Sequence, residues 1–373
     1  MSAQQGRPGT VAGMTTSQIA PAVDAARVEA FVGQVLTDFA GAATTASTVL
    51  GDRAGLYRAL ATEGRTTADE LAAATGLNPR LVREWLAVQV VSGYVTYDAA
   101  AGTYELPIEH AMVLAVEDSP AFVAGAAEII AGEYQMLSRL EAALRSDGGV
   151  AYHDYPSTVH TGIERFFRTA YVHQLAQVWL PAVPGLVARL DEGARVADVG
   201  CGHGVATLLM AERYPASTFD GFDSHEPSIV TARARAVESG SPSNATFHVG
   251  TADGVTGGPY DAVVFFDALH DLGDPPAALR RAHDVLAPGG VVVAVEPWSV
   301  DNLEDGIGHP IVRLNYAAST LLCTPNSLAQ TGAYGLGTAG GPTRRVRLLA
   351  EAGFRNAAVV ADTGHNLVVA GIK

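Results

Sequence analysis

Lysine is almost missing from this sequence of 373 residues: of 24 basic side chains, 23 are arginine, and the single lysine is the last residue, Lys373. A P-loop with its Gly-Lys-Ser/Thr, and pyridoxal or Schiff-base chemistry on an internal amine, are thereby excluded. Cysteine is equally scarce. Cys201 and Cys323 form no C-x-x-C pair for zinc or redox exchange and are too few for a disulfide framework, which points to a reducing, cytoplasmic setting. No apolar run approaches the roughly 18 residues of a membrane span, and residues 1–22, rich in Gln, Gly, Ser and Thr, read as a disordered tail. Positive charge is in deficit too. A net charge of -15 and a pI near 5.1 argue against nucleic-acid partners.

The length suits two domains with cores of their own. Within 23–117, Val28, Phe31, Val32, Val35, Leu36 and Phe39 recur at helical spacing, so a packed apolar face is expected. Thr67 stands three residues before Glu70 as a capping box, Gly76 closes that short helix, and Asn78-Pro79 starts another that runs to Gly93. Two strand-like pieces around Ala99-Ala-Ala-Gly follow. Helix, helix, hairpin is the outline of a winged helix. Between Leu50 and His110, five arginines face eight acids, a net of -3 that speaks against DNA and for a dimerisation or lid role. Residues 118–190 read as a helical linker whose aromatic and histidine-rich centre forms a cleft wall, with Tyr155, His160 and Phe166 as candidate substrate contacts.

Beyond 190 the period changes. Short Val-, Ala- and Phe-rich strands at 195–199, 218–222, 246–249, 260–266 and 291–295 alternate with helices, and two last strands at 357–361 and 367–372 suit an antiparallel hairpin. This predicts an α/β domain over 191–373: a parallel sheet covered on both faces, with ligands beyond the carboxyl ends of its strands. The first strand runs into Asp198-Val-Gly200-Cys-Gly202-His-Gly204. This Gly-x-Gly-x-Gly spacing, with an acid two residues ahead, is not the Gly-x-Gly-x-x-Gly of a dinucleotide loop. An ammonium is a better partner for that carboxylate than a pyrophosphate. Asp223, followed by Ser224, is placed for ribose hydroxyls at the second strand end, and Thr251, Ala252 and Asp253 for an adenine edge at the third. Together they describe a nucleoside with a cationic amino-acid tail.

On these residues the segment from about 193 to 297 resembles the class I S-adenosylmethionine-dependent methyltransferases. The whole chain looks like the bacterial and plant small-molecule methyltransferases that carry an N-terminal winged domain. The resemblance implies a Rossmann-like seven-stranded sheet preceded by a mainly helical winged-helix domain, S-adenosyl-L-methionine as cofactor and a homodimer. Phe266-Asp267-Ala-Leu-His270-Asp271 is similar to the plant-type O-methyltransferase stretch that supplies a general base, which makes His270 the base, with Asp271 beside it and Asp267 near the cofactor; Glu296, at the end of the fifth strand, is placed to orient His270, to bind substrate or to face solvent. Where the plant type continues with tryptophan, this chain has Leu272-Gly273-Asp274. A long insertion, 299–341, offers His309, Asn315 and Tyr316 as substrate contacts or a dimer surface. O-methylation of a small metabolite without metal is the leading expectation. Metal-assisted C-methylation of a 2-oxo acid, with His309 joining His270 and Asp271, and a cofactor-sensing regulator stand as alternatives.

Overall fold

A computed structural model describes residues 23–240, 242–338 and 340–373; the tail expected over 1–22 lies outside them. Helix α1 (Ala25–Arg53) begins where Asp24 accepts the amides of Ala26 and Arg27. It leads through α2 (Leu56–Glu63), α3 (Ala68–Thr75) and α4 (Pro79–Val91) to the hairpin β1 (Thr96–Asp98) and β2 (Thr103–Glu105), then α5 (Ile108–Leu114). The Thr67–Glu70 capping box forms, and Gly76 ends α3 in the left-handed region at φ 67°. Leu60, Leu71, Leu86, Tyr57 and Trp85 fill the core between these helices. The face expected to pack along α1 does not: Phe31, Leu36 and Phe39 are 63%, 60% and 66% exposed. Helical periodicity gathered these side chains on one side, but among the described residues nothing covers them.

Helices α6 (Ala124–Gln135), α7 (Leu137–Ala143) and α8 (Ser157–Gln174) form the linker. Helices α6 and α8 meet backbone to backbone, since a Cβ on Gly125 would fall 2.6 Å from the Phe166 nitrogen. After α9 (Leu186–Glu192) come β3 (Arg195–Val199), α10 (Val205–Arg213), β4 (Thr218–Asp223), α11 (Glu226–Glu238), β5 (Ala245–Val249), β6 (Tyr260–Phe266), α12 (Pro275–Val285) and β7 (Leu286–Pro297). The insertion carries α13 (Pro310–Ala318), a π-helical turn at Ser319–Cys323 and α14 (Thr324–Leu328), before α15 (Pro342–Glu351), β8 (Arg355–Asp362) and β9 (Asn366–Ile372).

The sheet order is β5-β4-β3-β6-β7-β9-β8, parallel from β5 to β7, with β9 antiparallel between β7 and β8. The inner strands are apolar on both sides because helices cover both faces, one core centring on Val196, Val264 and Val293 and the other on Val263, Phe265 and Val292. The order in which strands are added reverses between the parallel β3 and β6, which opens a crevice at their carboxyl ends. The insertion folds over that edge. Tyr155 Oη donates to the Leu321 carbonyl at 2.8 Å, Ser327 Oγ to Leu272 O at 2.6 Å, and the Gly337 amide to His270 O at 3.2 Å.

Candidate active site

At the crevice, Gly200, Gly202 and Gly204 all take positive φ, of 78°, 52° and 75°. A Cβ on Gly204 would lie 2.7 Å from the Phe247 ring, whereas one on Gly202 would meet no atom within 4 Å. The loop is therefore packed at its exit and open at its crest, a cradle for a ligand's approach. Asp223 holds the crest from beneath, accepting the Gly202 amide at 2.9 Å through Oδ2 and the His225 amide at 2.8 Å through Oδ1. Thr251 and Asp253 are exposed around a 3-10 turn at Ala252–Gly254, with Ala252 half-buried, and Ser224 is exposed beside Asp223.

Three carboxylates at the crevice, those of Asp198, Asp267 and Asp271, are incompletely satisfied among the described residues. Asp198 accepts from Thr207 Oγ1 through Oδ2, and its buried Oδ1 has no partner among the described residues. Burial pushes its pKa up to about 7. Asp267 stands at φ 55°, an uncommon conformation for a residue with a side chain, and its Oδ1 is likewise buried and unpartnered among the described residues. Burial raises its pKa to about 8. Buried anions without partners cost several kcal/mol unless a cation joins them, so Asp198 and Asp267 suit a ligand with positive charge. The cofactor implied by the sequence, with its sulfonium and ammonium, fits both the cradle and the orphaned carboxylates.

His270 lies beside them, 2% exposed, in a 3-10 turn at Leu269–Asp271 that begins just past β6. Its Nδ1 is 2.9 Å from Glu296 Oε2 on β7, and Glu296 also accepts the amides of Leu269 and His270. With a carboxylate as its only possible acceptor there, Nδ1 carries the proton and Nε2 faces Asp271 Oδ1 at 3.3 Å. Burial opposes the imidazolium, but Asp271 and Glu296 outweigh it, and the His270 pKa stands well above its ordinary value. Burial likewise opposes ionisation of Glu296, but His270 and Arg345 hold it below the usual carboxylate range. Arg345, fully buried, donates to Ser299 Oγ and Thr338 O and closes this layer.

The structure thus brings His270, Asp271, Glu296, Asp267 and Asp198 together. Two residues were missed by sequence reasoning. Cys323 reaches the same point from the insertion, its Sγ lying with His270 and an Asp271 carboxylate oxygen inside one 4.8 Å cluster that could hold a metal. Tyr152 stacks on His160 at 4.4 Å and sits edge-on to His225 at 5.4 Å, with burial and Asp223 raising its pKa. The aromatic density around 152–168 signalled the wall but not this residue. Phe166 is half-buried and meets Phe167 edge-on. Other expected contacts have different partners. Tyr155 is 3% exposed and pins linker to insertion. His309, expected near His270, is exposed and stacks on Trp298 at 4.8 Å, while Asn315 Nδ2 donates to the Trp298 carbonyl at 2.6 Å and Tyr316 is half-buried. A position one helix away along the insertion turns those two side chains toward the end of β7, away from the histidine.

Comparison with known proteins agrees with this geometry. Residues 42–116 match the model of the Rv2258c-like winged HTH domain, and residues 171–318 that of a methyltransferase domain. Ubiquinone biosynthesis O-methyltransferase of Caulobacter is 34% identical over 105 residues, 27% of this chain and 40% of that protein. Trans-aconitate 2-methyltransferase of Deinococcus radiodurans is 33% identical over 109 residues, 29% of this chain and 40% of that protein. The chain thus spans under half the length of these curated relatives. In fold, human N-acetylserotonin methyltransferase in complex with S-adenosylmethionine superimposes with a TM-score of 0.66 at 20% identity, covering 95% of this chain and 99% of that one. Among the described residues no helix is long and apolar enough to cross a membrane. The glycine cradle at the β3–β6 crevice thus lies in a methyltransferase domain matched over residues 171–318, behind an Rv2258c-like winged HTH domain matched over 42–116, in a fold shared along nearly the whole chain with that human methyltransferase.

Proposed function

We propose that this protein transfers a methyl group from S-adenosylmethionine to an oxygen of a small-molecule acceptor, with His270 as general base. When bound, the cofactor supplies an electrophilic methyl group on a sulfonium. Asp198 and Asp267 face its positive charges, the Gly200–Gly204 loop carries its tail, and Asp223, Ser224 and the 251–253 turn take its ribose and adenine. Nε2 of His270 accepts the acceptor's hydroxyl proton, and Glu296 holds the ring by Nδ1 and stabilises the resulting imidazolium. The insertion and the linker, pinned together through Tyr155 and with His160 and Phe166 on the linker side, exclude water and enclose the acceptor, while His309, Asn315 and Tyr316 belong to the outer part of the insertion. The 2.9 Å bond from His270 Nδ1 to Glu296 at the crevice carries this reading. Because the His270 pKa is raised, the neutral base forms only as pH climbs through that raised value, so kcat/KM should rise through a pKa above ~6.5. His270→Ala should cut turnover ~100- to 10,000-fold on any accepted hydroxyl substrate, measured as S-adenosylhomocysteine formed. Retained turnover would refute the base.

The cluster of His270, Asp271 and Cys323 favours a second reading, in which these side chains hold a divalent metal and the acceptor is a 2-oxo acid methylated at carbon. Three N, O and S ligands with an open position suit a catalytic zinc or iron, and Glu296 behind Nδ1 is the carboxylate partner such histidines keep. Elemental analysis of the purified protein separates the readings: stoichiometric metal removed by Cys323→Ala supports the second, and its absence the first. A regulatory role on DNA is disfavoured because the winged domain's arginines are engaged, Arg83 with Asp69, Arg80 with Glu84, and Arg65 with Asp98 and Glu105.

The partner proposed for α1 is a second copy of the chain. Its stripe from Val28 to Phe39 presents five apolar side chains 49–66% exposed, which a two-fold antiparallel pairing of α1 helices would cover. Phe31→Asp with Leu36→Asp should convert a dimer to a monomer in light scattering; a wild-type monomer would refute the assignment. The reading supposes a cytoplasmic setting, in keeping with two free thiols.

A further inference from the structure

A loop of three glycines at positive φ has little stiffness of its own, so its shape depends on what grips it from outside. From within, Asp223 takes the Gly202 amide. From the other side, the grip comes through His203, the side chain between Gly202 and Gly204. Its Nδ1 meets Glu164 Oε2 of the linker helix α8 at 2.5 Å. Glu164 Oε1 in turn accepts from Arg235 Nη2 of α11, and Arg235 Nη1 donates to the His203 carbonyl at 3.3 Å. Glu164, His203 and Arg235 therefore close a ring around the loop crest, with side chains only 17%, 15% and 29% exposed. Burial opposes a charged Glu164, yet His203 and Arg235 hold its pKa below the usual carboxylate range.

The next residue of α8 points the other way. Arg165 pairs with Asp52 at 2.7 Å, Glu117 at 2.8 Å and Glu128 at 3.2 Å, reaching the end of α1, the segment after α5, and α6. One turn of one helix thus grips the cofactor loop with an acid and the N-terminal helices with a base. A surface ion pair would be worth little, but apart from the half-exposed Glu117 these groups are largely buried, and Glu164 and Arg165 each share their charge among several partners.

We infer that Glu164 is a positioning residue for cofactor binding, which sets the glycine loop through His203 and ties it to the winged domain through its neighbour Arg165. The inference rests on the proposed cofactor. Glu164 touches no reacting atom, so its loss weakens cofactor binding and leaves the methyl-transfer step itself nearly untouched.

The test uses the full-length protein and calorimetric binding of S-adenosylhomocysteine. Wild-type affinity is measured first; no binding there would refute the cofactor reading itself, and is distinguishable from failure of the variants. Glu164→Ala and His203→Ala should each weaken binding about 10-fold or more, and the double variant should be no worse than the weaker single one, because both remove the same grip. Glu164→Gln, which keeps an acceptor, should recover much of the loss. Once acceptor turnover is available, KM for the cofactor should rise with kcat at saturation within about threefold. Additive losses in the double variant, or unchanged binding in Glu164→Ala, would overturn the inference. Should Glu164→Ala fail to fold by circular dichroism, His203→Ala alone carries the test, and unchanged S-adenosylhomocysteine binding in it would overturn the inference.

Discussion

Glu296→Gln keeps the shape of a fully buried side chain while removing its charge. The carboxylate is surrounded by donors: the amides of Leu269 at 3.1 Å and His270 at 3.2 Å, His270 Nδ1 at 2.9 Å and, at 3.8 Å, Arg345 Nε. A carboxamide offers its oxygen to only some of them and turns an NH2 group toward the others. Each buried group left without a partner costs ~1–3 kcal/mol, and removal of one member of a buried ion pair costs ~3–5 kcal/mol in all. The variant should therefore be about 3–5 kcal/mol less stable at neutral pH, from urea unfolding followed by circular dichroism. The pH dependence follows from the direction of each shift. His270 has a raised pKa, so its stabilisation is complete below the ordinary 6.5 and lost as pH rises through the raised value. Glu296 has a lowered one, so its stabilisation is present above the ordinary 4.5 and lost as pH falls through the depressed value. The gap between wild type and variant should be widest between those limits and narrow at both ends. A loss under about 1 kcal/mol, or one independent of pH, would show that the pair is not charged as argued.

Two glycines of the loop should behave oppositely. Gly204→Ala meets the Phe247 ring at 2.7 Å and Ala232 at 2.9 Å, so it should cost ~2–4 kcal/mol from packing and left-handed strain together, read by denaturant unfolding. Gly202→Ala meets no protein atom and should cost only ~1–2 kcal/mol, yet its methyl group intrudes on the cradle and should abolish cofactor binding in calorimetry. Asp198, with a pKa of about 7, should make wild-type affinity for S-adenosylhomocysteine rise as pH rises through neutrality, and Asp198→Asn should bind at least about 10-fold more weakly and lose the rise near 7, keeping only that of Asp267 at about 8. An Asp198→Asn profile that keeps the rise near 7 would place the titration elsewhere.

Much of the sheet domain was legible because its signals are local. The 260–266 strand, the Gly-x-Gly-x-Gly loop and the acid at the end of each strand follow from backbone period and glycine spacing, which neighbouring residues alone determine. The capping box at Thr67 and Glu70 is of the same kind, since both partners lie within one turn. The sequence offered Glu296 at a strand end as one of the groups able to orient His270, and the pairing of β6 with β7 decided that it does so rather than face solvent. Cys323 was not, for it arrives from the insertion through a turn whose path depends on what α14 packs against. His309 was misplaced for the same reason: its histidine chemistry is plain, but which way α13 turns it is settled by Trp298 and Asn315.

By itself, then, the sequence pointed to a parallel sheet with a glycine cradle suited to a cationic nucleoside, gave lysine no internal part, and left histidine and carboxylates as the groups able to handle protons. Only the tertiary structure decided how these charges are shared: that Asp198 and Asp267 keep oxygens free, that Glu296 fixes one face of His270, that Cys323 and Asp271 meet the other, and that the α1 stripe lies open. The reason is physical. Periodicity and spacing fix which side of an element a residue occupies, while burial, pairing and pKa depend on distances between elements far apart in the chain.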